Sequence, residues 1–464
     1  MFLIIHSRRP LARRSNVSHG QRAPCLTGAG AATVLVAVVA FSAGAQSQPP
    51  PLRLGDLYAS VRNESPRVEA VRALVRAAEA RVPSAKVPPD PELQIGFMNY
   101  LLPELRPMDP LGMVQLQLMQ MLPVAGKLGL SGRVASAQAA AQAERASDVL
   151  WELRSSAAMA FYALYETDQG LAVARETLRL LQDTRQIAEA MYRVGDGRQA
   201  DVLRAQVEIA RMVEDTVRMT TMRTAMAARL NALADRPFDA VVPSPALPAF
   251  PDSVSSLEAL VTIAQSARPM VKAGQLEVEA AEAEVRLARR EIWPDLTVGL
   301  QYGQRAGEMG PERMGSLMLG MSVPIFARSR QLRMREEADA MRQMATADLA
   351  VMRADTRARV TEAYATLIRA RNLGSLYRTT ILPQADAAVS SALAAYRVGD
   401  VDFMTLLDNR MTVNSYRQEL FALEAEQGKA WADLEMLVAR ELFDANGVGN
   451  NVPGAAAAPA RERR

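Results

Sequence analysis

The chain has 464 residues, 54 of them Lys or Arg and 51 Asp or Glu, a near balance that provides no broad basic surface for nucleic acid. Its one Cys and two His, Cys25, His6 and His19, all fall within the first 45 residues. Thiol or imidazole chemistry, whether nucleophilic, zinc-binding or haem-ligating, is therefore excluded from everything that follows.

Residues 1–45 read as a signal peptide. Arg8, Arg9, Arg13, Arg14 and Arg22 form a basic start, Ala31 to Phe41 an apolar run, and Ala43-Gly44-Ala45 a small-residue cleavage pattern. The run is too short to span a membrane, and Cys25 lies ahead of it, the wrong place for a lipidation cysteine. Ser7-Arg8-Arg9 resembles a twin-arginine signal but stands far from the apolar run, so ordinary export is the default. Cleavage near Gln46 removes five basic residues and no acidic one, turning a net charge of +3 into −2.

The exported part is an internal duplication. Ser65-Pro66 matches Arg268-Pro269, Pro91-Glu92-Leu93-Gln94-Ile95-Gly96-Phe97 matches Pro294-Asp295-Leu296-Thr297-Val298-Gly299-Leu300, and Leu122-Pro123 matches Val323-Pro324. Tyr192-Arg193-Val194-Gly195-Asp196 then recurs unchanged as Tyr396-Arg397-Val398-Gly399-Asp400. Landmarks that keep one order and nearly one spacing define two structural repeats. The first covers 46–235 and the second 253–442, joined by a Pro-rich connector at 236–252 and followed by a tail, 443–464, expected to be disordered.

Each repeat is predicted to run helix, two-stranded hairpin, long helix, turn, long helix. Glu92 to Asn99 and Val114 to Leu118, with their counterparts from Leu296 and around Leu317 to Met321, alternate apolar residues with small or uncharged ones. A half-buried sheet also alternates in this way, but strands of roughly nine to eleven residues in an exported chain match an outer-membrane barrel. Four strands cannot close a barrel, so several copies would have to share one.

Long heptads follow the strands. Leu150, Ala157, Leu164, Leu171 and Leu178 hold one seven-residue lattice, and Val360, Leu367, Gly374, Ile381, Ala388 and Ala395 another, a coiled-coil signature. Pro383 is expected to break or bend the second long helix unless it is locally accommodated. Gly195 and Gly399 end helices at no steric cost, so each repeated pentapeptide predicts a tight turn between antiparallel helices.

In this order and spacing the duplicated landmarks, the Pro after each strand pair and the Tyr-x-x-Gly turns resemble the TolC-type outer-membrane efflux family, over essentially the whole exported chain. The resemblance implies a mainly α fold with a small β part: a homotrimer with an α-helical barrel and a twelve-stranded β-barrel in outer-membrane lipid. It implies a periplasmic adaptor and an inner-membrane pump as partners, no enzymatic activity and no cofactor. Pro89-Asp90-Pro91 and the run from Met119 to Lys127 are similar to the branch serving metal-exporting pumps of the resistance-nodulation-division type, with Ala125 where that branch has Pro. Pro123, Gly126, Lys127 and Pro324 mark the strand-to-helix junctions.

The resemblance also assigns roles at the turns. Tyr192, Arg193, Val194, Gly195 and Asp196, with Tyr396, Arg397, Val398 and Gly399, form the adaptor-facing turns. Asp408 and Thr405 occupy the two positions of the periplasmic aperture where the family carries rings of Asp, and Asp400 and Asp402 are further candidates. The bland alternative for each Asp is a turn carboxylate facing water. Met98, Met113, Met119, Met121, Met309, Met314, Met318 and Met321 gather around the strands; thioether sulfur suits Cu(I), though flexible apolar filling is the commoner use of Met. Drug efflux and type I protein secretion remain open as cargo, and a non-pore periplasmic scaffold or adaptor is the competing class.

Overall fold

The computed structural model describes residues 50–108, 112–307 and 310–445. The expected signal peptide, the tail beyond Ala445 and Met309 lie outside the described residues.

Each repeat opens with two short helices rather than one. In the first, α1 (Leu54–Glu64) buries Leu54, Leu57, Tyr58 and Val61, a single helical face, and α2 (Pro66–Ser84) starts on Pro66, whose missing N–H is harmless in a first turn. Strand β1 (Glu92–Met98), a two-residue ladder of β2 (Tyr100–Leu101) with β3 (Arg106–Pro107), and β4 (Met113–Leu122) follow. Helix α3 (Lys127–Val194) has 68 residues, which at 1.5 Å per residue extends about 100 Å. Its partner α4 (Gln199–Leu233) returns. The second repeat gives α5 (Leu257–Ala267), α6 (Pro269–Arg290), β5 (Leu296–Gly307), β6 (Gly310–Met321), α7 (Gln331–Leu376), a π turn (Tyr377–Ile381), α8 (Leu382–Arg397) and α9 (Phe403–Val438). No helix among the described residues is long and apolar enough to cross a membrane.

The four main strands form one antiparallel sheet in the order β1-β4-β5-β6. Its register aligns Leu93, Leu118, Leu300 and Leu317 across the sheet, with Ile95, Leu116 and Tyr302 in the next row. These side chains are exposed. The opposite face aligns Gln94, Gln117, Gln301 and Ser316, and Gln301 donates to the Gln115 side chain across β4 and β5. β5 and β6 run longer than predicted because Gln304, Arg313 and Gly315 take apolar positions on the leucine face and so interrupt the visible alternation.

The second long helix accommodates its proline locally, and its heptad phase beyond that point is corrected. Pro383 does not break it. The π turn just upstream lets Leu382 donate to the carbonyl of Tyr377, five residues back, and Pro383 falls in the first turn of α8. That arrangement removes the demand on an N–H that Pro lacks. The π turn also takes up one extra residue and shifts the heptad. Val360, Leu367 and Gly374 are buried as predicted, but beyond the turn Ala388 is exposed, and Ala392 and Tyr396 are buried instead.

The main core sits where the helices overlap. Phe161, Tyr162 and Leu164 of α3 pack with α1 and with Phe250 from the extended connector. A Cβ on Gly428 would fall within the Tyr162 ring, so only Gly lets the α9 backbone lie across it. Buried Arg268 donates to Thr356 at 2.8 Å and lies 3.7 Å from Asp148. Burial pushes the Asp148 carboxyl up, and the Arg268 charge pulls it back. The first tail residues are ordered: Phe443 packs on Phe250 and Trp431, and Ala445 accepts from the Gly55 amide at 3.3 Å.

The two repeats lie side by side at every level, and the sheet order β1-β4-β5-β6 places both strands of the first next to both strands of the second. Along the strand-proximal helices the order is α2, α3, α6, α7, and at the far end it is α4, α3, α9, α8. The chain is therefore four elements wide throughout, with β1 and β6, α2 and α7, and α4 and α8 as its edges.

Candidate functional site

The two repeated pentapeptides lie side by side at the end of the helices farthest from the sheet. Gly195 (φ +88°) and Gly399 (φ +81°) take the left-handed conformation that the sequence predicts. In both turns the Asp amide then donates back to a helix carbonyl at 3.0 Å, Asp196 to Met191 and Asp400 to Ala395. This closure satisfies carbonyls that a helix end leaves open.

Identical sequence does not give identical surroundings. Tyr396 is buried against Phe403, with ring centroids 5.7 Å apart, and against Leu406. Burial raises its phenol pKa, helped by the nearby Asp201 charge, and its hydroxyl has no hydrogen-bond partner among the described residues. Tyr192 is exposed and borders a shallow cleft with Val202 and Leu203 of α4. Arg193, Val194, Asp196, Arg397 and Val398 are exposed as well, so both turns offer their tips to solvent.

A groove of about 470 Å³ separates the turns, and Asp196, Arg198, Asp201, Arg204, Asp400 and Asp402 line it. Arg198 and Arg204 belong to no motif; their only sequence signal is two cations flanking the Asp201 segment. Asp402 has a definite task as the N-cap of α9: its carboxylate accepts from the Thr405 amide at 3.0 Å and from the Thr405 hydroxyl. The Thr405 hydroxyl, then its amide, holds the Asp402 carboxyl below its ordinary value, and the two Arg charges add to this. Asp402 is thus a cap, as its bland alternative holds, while Asp400 simply faces water at the groove.

Asp408 lies elsewhere. It is exposed on α9, and with Asp402, Thr405, Thr412, Ser415 and Glu419 it makes one polar stripe with three- and four-residue spacing, all exposed on a helix whose other faces are largely buried. The spacing is visible in the sequence, and Thr412, Ser415 and Glu419 extend the stripe beyond the aperture candidates Asp402, Thr405 and Asp408.

At the other end, the strand-to-helix junctions are built differently in the two repeats. Pro123 and Val124 lead into Ala125 (φ +59°) and Gly126 (φ +74°), and α3 begins at Lys127. Pro cannot adopt the Ala125 conformation, so the chain does not fold here as a Pro at this position would require. Lys127 is 5% exposed; its ammonium lies 2.9 Å from Asp295 and 3.5 Å from Glu291 and donates to the Trp293 carbonyl at 2.9 Å. The second junction is open by comparison: Pro324 is half-buried, and Ile325, Phe326 and Arg328 after it are exposed.

The sheet register collects the methionines. Met98, Met113, Met119, Met121, Met314 and Met318 share the glutamine face, and Met119 and Met318 flank Gly299, whereas Met321 stands on the leucine face. Among the described residues no cluster of three or more His, Cys, Asp or Glu side chains could hold a metal ion.

The sequence profile described as outer membrane efflux protein matches residues 57–235 and 260–440, one span in each repeat. Protein CyaE of Bordetella pertussis is 29% identical over 251 residues, 52% of this chain and 52% of that protein, so the chain spans about half the length of this curated relative. Among solved structures, CusC, described in terms of transmembrane channel formation, matches with a TM-score of 0.71 at 16% identity, over 84% of this chain and 92% of that one. The outer membrane protein VceC of Vibrio cholerae gives 0.70 at 16%, over 84% and 97%. The MtrE outer membrane channel of Neisseria gonorrhoeae, in its open state, gives 0.68 at 14%, over 84% and 89%. At these identities the likeness establishes the fold.

Proposed function

The chain belongs to the outer membrane efflux protein family, and on that premise we propose that three copies close into one passive export duct. The observation that carries this reading is the set of unfilled edges. A lipid-facing sheet cannot leave the β1 and β6 backbones unpaired, and three copies of a four-stranded sheet give a twelve-stranded barrel with none. The exposed leucine rows would face lipid and the glutamine face the bore, while α7 with α2 and α8 with α4 complete the helical wall. The duct would receive cargo from a periplasmic adaptor and an inner-membrane pump, with the turns at Gly195 and Gly399 as the docking tip. The α9 stripe through Thr405 and Asp408 would line the aperture, where rings of carboxylates attract cations and repel each other.

For cargo, soft metal ions passed on by a resistance-nodulation-division pump are the reading to test first. The thioether-bearing bore face supports it; the backbone at Ala125 counts against it. The test is to isolate the protein from outer membranes and to delete its gene. A detergent- and heat-resistant trimer, with lost tolerance to copper or cobalt, is expected. Lost tolerance to cationic drugs alone removes the metal cargo and keeps the duct. A water-soluble monomer overturns the duct.

A further inference from the structure

The Lys127 cluster is a joint between repeats: it fixes the end of β4 in the first repeat to the start of β5 in the second. Asp295 also accepts from the Val124 amide at 3.4 Å, and its own amide donates to Ser322 at 2.9 Å, so the clasp sits where β4, β5 and β6 all end. The duplication supplies each part of this joint a second time. Counting from Pro123 and Pro324, Lys127 corresponds to Arg328; counting along Pro91-Glu92 and Pro294-Asp295, Asp295 corresponds to Glu92 and Trp293 to Asp90.

Within one chain those counterparts are far apart in the order of the sheet, Glu92 beginning edge strand β1 and Arg328 following edge strand β6. Arg328, Glu92 and Asp90 are exposed, and among the described residues none has a side-chain partner. The apolar residues around Arg328 are equally uncovered, Ile325 at 81% and Phe326 at 73%. The Asp90 and Glu92 side is already positioned, because Gln120 donates to the Pro89 carbonyl at 2.7 Å.

We propose that Arg328 of one copy seats on Glu92 and Asp90 of a second copy of this chain, reproducing between subunits the clasp that Lys127 makes within one. The charge count agrees. Lys127 faces two carboxylates, Asp295 and Glu291; Pro88 stands where Glu291 would recur, and Asp90 restores the second carboxylate. An Arg fork can bridge such a pair with more donors than Lys. The inference rests on the ring reading above but commits to which side chains close it.

The test is charge reversal in the full-length protein purified from membranes. R328E and E92R should each lower the temperature at which the trimer dissociates on a detergent gel, and R328E/E92R should recover most of the loss. In a Cys25→Ser background, Arg328→Cys combined with Glu92→Cys should give covalent dimers and trimers with a short bis-maleimide, and each single variant should not. Insensitivity to both reversals, no recovery in the pair, or bridging confined to monomers overturns the clasp while a trimer remains. Absence of a trimer in the unsubstituted protein removes the ring reading and the clasp with it.

Discussion

Tyr192 and Tyr396 stand at the same position of one repeated pentapeptide, yet Tyr192 is 47% exposed and Tyr396 only 4%. Tyr396 lies beneath the second turn on Phe403, whereas Tyr192 projects from the first. Tyr396→Ala should loosen the tip by about 3 kcal/mol, as for other buried aromatics, and Tyr396→Phe should be near neutral, since the hydroxyl has no partner to lose. Tyr192→Ala should leave the fold intact and weaken adaptor capture. Hydrogen exchange at residues 392–407 checks the first pair and adaptor pull-down the third; equal exchange in Tyr192→Ala and Tyr396→Ala would remove the distinction.

The Asp402 cap makes the start of α9 sensitive to acid. Its carboxyl is lowered from the ordinary 3.8 by the Thr405 hydroxyl and amide. The stabilisation is therefore fully present above pH 3.8, and it is lost as pH falls through the lower folded value. Amide protection around Leu406 should be flat from neutral pH down to that range and fall below it. Asp402→Asn, which still offers an oxygen to the cap, should abolish the acid-dependent step, and a step that survives would assign it to another group.

Asp408→Ala should raise the conductance of the closed channel in planar bilayers, because it takes one carboxylate per copy from the exposed α9 stripe. Glu419→Ala, on the same stripe but farther from the turn, should change it less. Unaltered conductance in Asp408→Ala would take this residue out of the aperture.

The contact of Gly428 with the Tyr162 ring leaves no room for a methyl group. Gly428→Ala should destabilise the chain by about 1–3 kcal/mol, the usual cost of overpacking, despite the better helix propensity of Ala. Gly374→Ala, with open space around its α-carbon, should instead be neutral or stabilising. Thermal unfolding of the two variants decides the matter, and the reverse ranking would refute the close approach.

The π turn and Pro383 form a matched pair. Deleting Thr380 should convert the π turn to ordinary α-helix, with Ala392 and Tyr396 still on the buried face. Pro383 would then clash with the carbonyl four residues back, a cost of about 3 kcal/mol. The deletion combined with Pro383→Ala should therefore be much more stable than the deletion alone. Similar melting of the two would dissociate the Pro from the turn.

Features set by local chemistry were legible in the sequence. The Gly195 and Gly399 turns need a left-handed residue, and the starts at Pro66 and Pro269 need a residue without an N–H to satisfy, so each announced itself by residue type. The duplication carried these landmarks into the right order. Features set by which neighbour arrives were not legible: nothing in Tyr-Arg-Val-Gly-Asp distinguishes the copy that packs on Phe403 from the copy that does not. The heptad through Ile381 and Ala388 failed because one inserted residue changes the phase of a helix without interrupting it. Asp402 and Asp408 looked alike as carboxylates; only the geometry separates a cap engaged with Thr405 from a side chain facing outward.

The joint at Lys127 lies inside a polypeptide whose two repeats are tethered by residues 236–252. In a ring of such chains half of the boundaries carry a covalent tether, whereas the other half are held by non-covalent contacts alone. Any iris-like dilation must then be taken up unequally, with rigid paired repeats swinging as units and every second boundary opening. A ring built from single, unfused repeats would share the same movement evenly among all its boundaries.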